Sequence, residues 1–449
     1  MKYLKYFEEA SAYEAYKNGS DYVLPNVSFI EDVKDVSFEP YVNLLTVNYL
    51  TIEALEDGLT TSLSVNDCEY CIDGDGNWKS LTAGTTTESI NTGQTLSFRG
   101  ELTPNISNGI GTFTINKKCN LKGNCMSMLF GDNAIDNYGL SGKNYAFYKL
   151  FNNCENVVNV SSNFLPATSL AENCYNGMFR GCTSLTTSPD LPATTLAENC
   201  YQSMFLNCKG LTTAPSILPA TTLTYRCYGI MFKGCTALTT APELPATTLT
   251  PQCYEEMFFG CTNLTTAPEL PATTLAGSCY KSMFYGCTAL TAAPELPATT
   301  LADSCYRYMF NGCTALTIAP TVLPATTLAD SCYRNMFYGT NLTVAPELPA
   351  TTLVESCYKS MFWNCTNLTT APELPATTLK DFCYGSMFRG CTKLNYIKML
   401  ATDISAKNCL YNWVNGVTST GTFVKNPAMT TLSTGASGIP SGWTVEDAA

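Results

Sequence analysis

The chain has 449 residues, of which 45% are hydrophobic and only 14% are charged, and its net charge is −12. This composition allows two to four packed domains, while the negative charge argues against non-specific binding of nucleic acid phosphates. The sequence contains no histidine, which removes histidine nucleophile pairs, general bases and metal ligands. We therefore expect a protein without enzyme activity, cofactor or bound metal that binds no nucleic acid.

Residues 1–44 combine a Tyr-rich helical pattern with an extended segment at 22–29. The first residues carry both charge signs and lack the apolar run of a secretory signal peptide. No stretch of the sequence approaches the length of a membrane span. We interpret 1–44 as an anchoring segment of a protein that does not enter the membrane and shows no general export signal.

Residues 45–118 are predicted to form a small antiparallel β domain. Apolar and polar residues alternate at 96–99 and at 112–115, between turns rich in Gly and Asn, and this period of two is typical of half-buried strands. Residues 119–164 read as degenerate capping coils of the repeat that follows, with Ala146 at a position that a cysteine holds later in the chain.

Two motifs in the β domain have competing interpretations. Cys68 and Cys71 form a C-x-x-C pair, for which zinc or redox chemistry is the minor alternative to a structural role. Residues 73–77, Asp-Gly-Asp-Gly-Asn, are similar to the start of a calcium loop, but Trp78 and Gly84 occupy positions where that loop needs Gly and Glu. We predict a hairpin turn there.

Residues 165–400 form a solenoid of coils that repeat every 25 to 27 residues. Thr195 and Glu198 have the spacing of a helix capping box, and Gly181 begins a column that holds only Gly or Asn, as at a helix end. A short strand is predicted from Leu185 onward. The expected fold is an α/β leucine-rich-repeat solenoid with one helix and one short parallel strand per coil. The motif Leu-Pro-Ala-Thr marks the coils and begins at Leu165, Leu191, Leu218, Leu244, Leu270, Leu296, Leu323, Leu348 and Leu374.

Five columns are predicted to face the core, and in one coil they are Cys174, Tyr175, Met178, Phe179 and Cys182. On a helix these positions share one apolar face. Like cysteines of successive coils lie side by side with parallel Cβ directions, which favours buried free thiols over disulfides or metal binding. Residues 401–449 are predicted to be a C-terminal capping coil, with Trp in the Met column at 413, and a tail.

Outward-facing aromatic residues are the candidate ligand-binding site. They recur one coil apart in one column, with a further tyrosine beside it, and rows of this kind suit stacking on sugar rings or contact with a protein. Surface drift, or side chains that lie flat on the coil, is the alternative. The aromatic candidates are Phe259, Tyr285, Tyr308, Tyr338 and Trp363.

A row of basic residues occupies a neighbouring column, at Lys281, Arg307, Arg334 and Lys359. Acidic residues precede the last three by four positions, which predicts solvated ion pairs along a helix rather than a polyanion site. Lys281 has no such partner, so we include it in the candidate site.

The motif Phe-x-Gly-Cys-Thr-x-Leu at 179–185, together with the tail segments 421–427 and 438–445, resembles the BspA-like leucine-rich-repeat proteins of gut Bacteroidales and their phages. Residues 1–44 resemble leaders of structural proteins of such phages. The coil length of 26 departs from the low twenties usual in BspA-like repeats.

This resemblance implies a bacteriophage virion fibre or appendage subunit that recognises a host-surface glycan or protein. Residues 1–44 would then contact other virion proteins, and the chain could form a homo-oligomer. The alternative is a BspA-like adhesin on the bacterial surface, and a glycosidase with paired carboxylates in the β domain is the least favoured hypothesis.

Overall fold

The computed structural model describes residues 48–449, with the backbone alone at 135 and 136. The predicted anchoring segment 1–44 lies outside the described residues. One short α-helix, α1 (Ser127–Phe130), and two 3-10 turns (Gly131–Asp136 and Ser162–Phe164) occur near the start of the repeats. The strands are β1 (Leu50–Ala54), β2 (Thr61–Leu63), β3 (Cys68–Ile72), β4 (Lys79–Leu81), β5 (Thr95–Arg99), β6 (Phe113–Ile115), β7 (Cys119–Lys122), β8 (Val157–Val160), β9 (Tyr396–Met399), β10 (Thr422–Lys425) and β11 (Thr444–Asp447).

A six-stranded sheet opens the described region, in the order β4-β3-β5-β1-β7-β8. Its first five strands pair antiparallel, and β2 and β6 form a second antiparallel pair. The period-two segments at 96–99 and 112–115 coincide with β5 and β6. Strands β3 and β4 are neighbours joined by 73–78, so the hairpin turn predicted for 73–77 is confirmed.

The same sheet continues into the repeats across residue 118. Strand β7 pairs antiparallel with β1, and β8 adds to β7 in parallel. Phe113 stacks on Phe151 of the degenerate capping coils at 5.3 Å between ring centroids. The β domain and the capping coils therefore share one sheet and one core.

The predicted helix of each coil is wrong: among the described residues, 165–400 contain no α-helix. A run of consecutive hydrogen-bonded turns takes the place of the helix. In the coil at 171–182, N–H groups at even positions from 174 to 182 donate to the carbonyl three residues earlier, at 3.1–3.3 Å. N–H groups at odd positions from 173 to 181 donate instead to carbonyls of the next coil, at 2.8–3.0 Å. A helix needs all of these N–H groups for bonds within one coil.

Left-handed backbone every four residues explains this pattern. In the coil at 278–286, φ is 55° at Ser278, 54° at Ser282 and 70° at Gly286. A positive φ at the third residue of a hydrogen-bonded turn is the signature of a type II turn. We call this run of turns, from the first cysteine column to the second, the turn face. The Gly/Asn column was correctly read as left-handed, but the columns four and eight residues earlier are left-handed as well.

The short strands predicted after Leu185 and its equivalents are reduced to single parallel bridges between successive coils. Thr187 bridges Asn159 on one side and Thr213 on the other. Thr195, predicted to cap a helix, bridges Ser169. The parallel pairing of coils is thus present, but it is spread over separate bridges, and the Pro residues of each coil interrupt longer ladders.

The core columns are buried as predicted. Tyr rings from Tyr175 to Tyr384 stack at 5.6–6.1 Å between centroids. Phe rings from Phe151 to Phe388 stack at 5.4–5.8 Å. All 23 cysteines are buried free thiols, as predicted for those of the two repeat columns. Those of the second column donate Sγ–H to a Phe carbonyl of the preceding coil, at 2.9–3.2 Å.

The C-terminal coil closes the stack. Trp413 fills the Met column, is fully buried and donates from Nε1 to Gly438 O at 2.8 Å. Strands β9, β10 and β11 form a parallel three-stranded sheet. The last coil therefore has continuous strands where earlier coils have single bridges.

Candidate functional site

The predicted aromatic residues divide into two groups on the turn face. Phe259 and Tyr285 stack at 4.5 Å with nearly parallel rings, and Tyr308 meets Tyr285 edge-on at 6.4 Å. Tyr338 and Trp363 form a separate edge-on pair at 5.2 Å. All five rings are half-buried, because they lie partly against one another instead of projecting into solvent.

The ion pairs predicted for the basic row are wrong. Among residues 48–449, no carboxylate lies within ion-pair distance of Arg307, Arg334 or Lys359. The acidic residues four positions earlier are directed elsewhere: Asp303, for example, accepts from the backbone N–H of Asp330 at 3.2 Å. On the turn face, residues four positions apart belong to different turns. They therefore do not have the i,i+4 geometry that brings two side chains together on a helix.

Lys281 is the opposite case. No acidic residue precedes it by four positions, but its Nζ lies 2.8 Å from Oε1 of Glu255 in the preceding coil. Glu255 is buried and also lies 3.5 Å from Arg226. Because its charge is neutralised by a buried carboxylate, Lys281 is part of a structural ion cluster and not of the candidate site.

A depression of about 430 Å³ opens on the turn face beside Trp363, within the volume range of small-molecule sites. Among the described residues its lining includes no carboxylate and three cations. We call it the basic–aromatic depression. Its lining is Tyr308, Arg334, Asn335, Lys359, Ser360, Trp363, Phe382, Gly385, Ser386, Arg389, Asn408 and Tyr411.

Two of the three cations are held against aromatic rings instead of carboxylates. Lys359 Nζ lies 4.5 Å from the centroid of Phe382, and the guanidinium of Arg389 lies 4.6 Å from that of Trp363. Cation–π contacts orient a positive charge without neutralising it. The depression therefore keeps a net positive charge on a chain that is negative as a whole.

Perturbed pKa values report this positive potential. Burial lowers the pKa of Lys359, and the neighbouring charge of Arg334 lowers it further. Burial alone would raise the pKa of Tyr308, but a hydrogen bond and the charge of Arg307, together with the charge of Arg334, bring it below its ordinary value. Both shifts favour the less positive form of the side chain, as expected near uncompensated cations.

Two aromatic residues of the depression have strained backbone. Phe382 has φ 56° and Tyr308 has φ 60°, a region that bulky side chains rarely adopt. Most other coils place small or polar residues at the column of Phe382. Left-handed backbone recurs at both columns in the other coils, so these two positions are distinguished by their large aromatic side chains and not by the backbone conformation itself.

Of the six predicted site residues, the depression brings together Tyr308 and Trp363. Phe259, Tyr285 and Tyr338 lie outside its lining. Sequence reasoning missed Phe382, Arg389 and Tyr411, although two signals were present. Arg389 is the next member of the aromatic column after Trp363, and Phe382 interrupts a column of mostly small or polar residues.

The other candidate motif does not form a site. Cys68 and Cys71 lie three residues apart on β3, so their side chains point to opposite faces of the sheet. Residues 48–449 contain no cluster of three or more ligating side chains arranged for a metal. Within the same range no helix has the length and apolar character needed to cross a membrane.

Comparison with protein families identifies the repeats. A family model described as the BspA type leucine rich repeat region (6 copies) matches residues 202–335, 231–369 and 277–417. Residues 202–417 form a BspA-type leucine-rich repeat region. Repeats of this type are typical of extracellular or cell-surface binding proteins. No curated protein and no solved structure matches the chain. The basic–aromatic depression lies within the BspA-type repeats.

Proposed function

We propose that this chain is a non-enzymatic binding protein whose BspA-type repeats recognise a cell surface through the turn face. The observation that carries the proposal is the basic–aromatic depression, where Arg334 and Lys359 have no acidic partner among the described residues. Uncompensated, partly desolvated cations reduce stability unless a ligand uses them. A repeat surface that tolerates this cost is suited to binding.

We further propose that the protein is a fibre or appendage subunit of a bacteriophage virion. The support is the similarity of residues 1–44 to leaders of phage structural proteins and the repeat type, which suits a surface location. In this setting 1–44 attaches to other virion proteins, and the repeats contact a host glycan or protein. A BspA-like adhesin on a bacterial surface is the second candidate, favoured by the same repeats.

Mass spectrometry of purified virions, beside washed host cells from the same culture, distinguishes the two. Peptides at structural-protein abundance in the virions support the fibre subunit. Peptides confined to the washed cells support the adhesin and reject the virion location. Peptides found only inside lysed cells contradict both forms of the proposal.

A further inference from the structure

We infer that the basic–aromatic depression binds an acidic saccharide, through a carboxylate or sulfate on the cations and a sugar face on the rings. The inference rests on the proposed binding function and names the ligand class for one site. Arg334 and Lys359 supply charge, and Trp363 and Tyr411 supply aromatic surface.

The anionic half of the ligand follows from the unpaired cations. Arg334 and Lys359 lie in successive coils, and burial, followed by the charge of Arg334, lowers the pKa of Lys359. The Nε atom of Arg334 is buried without a hydrogen-bond partner among the described residues. A guanidinium presents donors that match the oxygens of a carboxylate or sulfate, so an anion in the depression would supply the counter-charge that both cations lack.

The saccharide half follows from the rest of the lining. Tyr411 is 55% exposed, and aromatic rings with open edges or faces pack against the C–H groups of sugars. Asn335, Ser360 and Asn408 add amide and hydroxyl groups that can both donate and accept, as sugar hydroxyls require. An acidic peptide would use the cations but would leave this polar and aromatic lining unused.

Gly385 makes the space for the ligand. It occupies the column that holds Arg334 and Lys359 in the two preceding coils, and Tyr411 follows in the next coil. A Cβ atom at Gly385 would meet its nearest neighbour, Asn408 O, at 3.4 Å, which is ordinary contact. A larger side chain at Gly385 would therefore fill the depression without straining the backbone.

The test is calorimetric titration of the full chain with pairs of acidic and neutral probes. The pairs are sialyllactose and lactose, an oligogalacturonate and its methyl ester, and a sulfated galactan oligosaccharide and its desulfated form. At least one acidic probe should bind with Kd below about 1 mM, and its neutral counterpart should bind at least about tenfold more weakly. Binding should weaken as salt is added.

Three variants locate the binding. Arg334→Gln and Lys359→Gln should each weaken it about tenfold, and Gly385→Leu should abolish it by occupying the space. Lys398→Gln is the matched control, because Lys398 is paired with Glu373 and lies outside the depression. The thermal unfolding midpoint of Lys359→Gln should be equal to or higher than that of the original protein, since the removed charge is repelled by its neighbours. Lost binding therefore cannot be attributed to unfolding.

Several results would overturn the inference. These are no acidic probe binding below about 1 mM, equal binding of neutral counterparts, or binding that Arg334→Gln and Gly385→Leu leave unchanged. Hexaglutamate binding as tightly as the best saccharide would assign the site to acidic peptides instead. None of these results bears on the mass-spectrometric test of location, so the saccharide can fail while the proposed function stands.

Discussion

The left-handed turns of the repeat make an unusual prediction at Ser282. This residue is buried, with φ 54°. Left-handed backbone costs a residue with a Cβ about 1–2 kcal/mol, whereas glycine adopts it freely. We therefore expect Ser282→Gly to be more stable than Ser282→Ala by about 1 kcal/mol, after the greater flexibility of glycine in the unfolded chain is subtracted.

A helical coil gives the opposite sign. In a helix interior glycine is about 1 kcal/mol less favourable than alanine, so Ser282→Gly would be the less stable variant. Comparing two variants at one position removes the shared effect of losing the hydroxyl. The stability difference between Ser282→Gly and Ser282→Ala that a left-handed backbone predicts is thus about 2 kcal/mol away from the one that a helix predicts.

Gly277 provides the matched control in the same coil. Its φ is not left-handed, and an added Cβ would lie 3.9 Å from Asp303 O. Gly277→Ala should therefore stabilise the protein by about 0.4–1 kcal/mol. The assay is equilibrium unfolding in urea, followed by circular dichroism and fluorescence to check that both report one transition. If Ser282→Gly is less stable than Ser282→Ala, the turn-face geometry is refuted.

Other predictions concern the core and the ion cluster. Tyr254→Phe should raise the free energy of unfolding by about 1 kcal/mol, because the Tyr254 hydroxyl is buried without a hydrogen-bond partner; a lower urea midpoint would contradict this. Glu255→Gln should lower it by about 1–3 kcal/mol, since Lys281 and Arg226 lose their counter-charge, whereas an unchanged midpoint would show that the cluster contributes nothing. Burial raises the pKa of thiols such as Cys174 to about 12 from an ordinary value of 9.0, so the unfolded state releases protons first as pH rises. The thiols should leave stability unaffected from about pH 7 to about pH 8.5 and should lower it between pH 9 and 12, and a thiol reagent should label native protein only slowly at pH 7.

The composition of the core was predictable from sequence, but its backbone was not. Cys174, Tyr175, Met178 and Phe179 lie at intervals of one, three and one, which fit one face of a helix and also the inward side of four-residue turns. The discriminating columns are those of Ser278 and Ser282. They mix Ser, Asn and Gly with larger residues, so they resembled unconstrained surface positions, although Gly and Asn are residues that tolerate left-handed backbone well.

The candidate site was visible in sequence only as fragments. Trp363 and Tyr308 were identified from their outward positions, and this required only the repeat period. Arg334 and Lys359 were set aside because a helical spacing to acidic residues suggested ion pairs. Arg334 and Lys359 lack ion-pair partners because of the turn geometry. Arg389 joins the lining of the depression because of how two further coils stack, so neither feature could be predicted from the sequence of a single coil.

Binding of the labelled full chain to intact host cells tests the central claim most directly. Saturable binding is expected for the original protein and for Lys398→Gln. The double variant Arg334→Gln, Lys359→Gln should bind at least about tenfold more weakly while it unfolds at the same or a higher temperature. Equal binding of the double variant and the original protein would show that the basic–aromatic depression is not the recognition site.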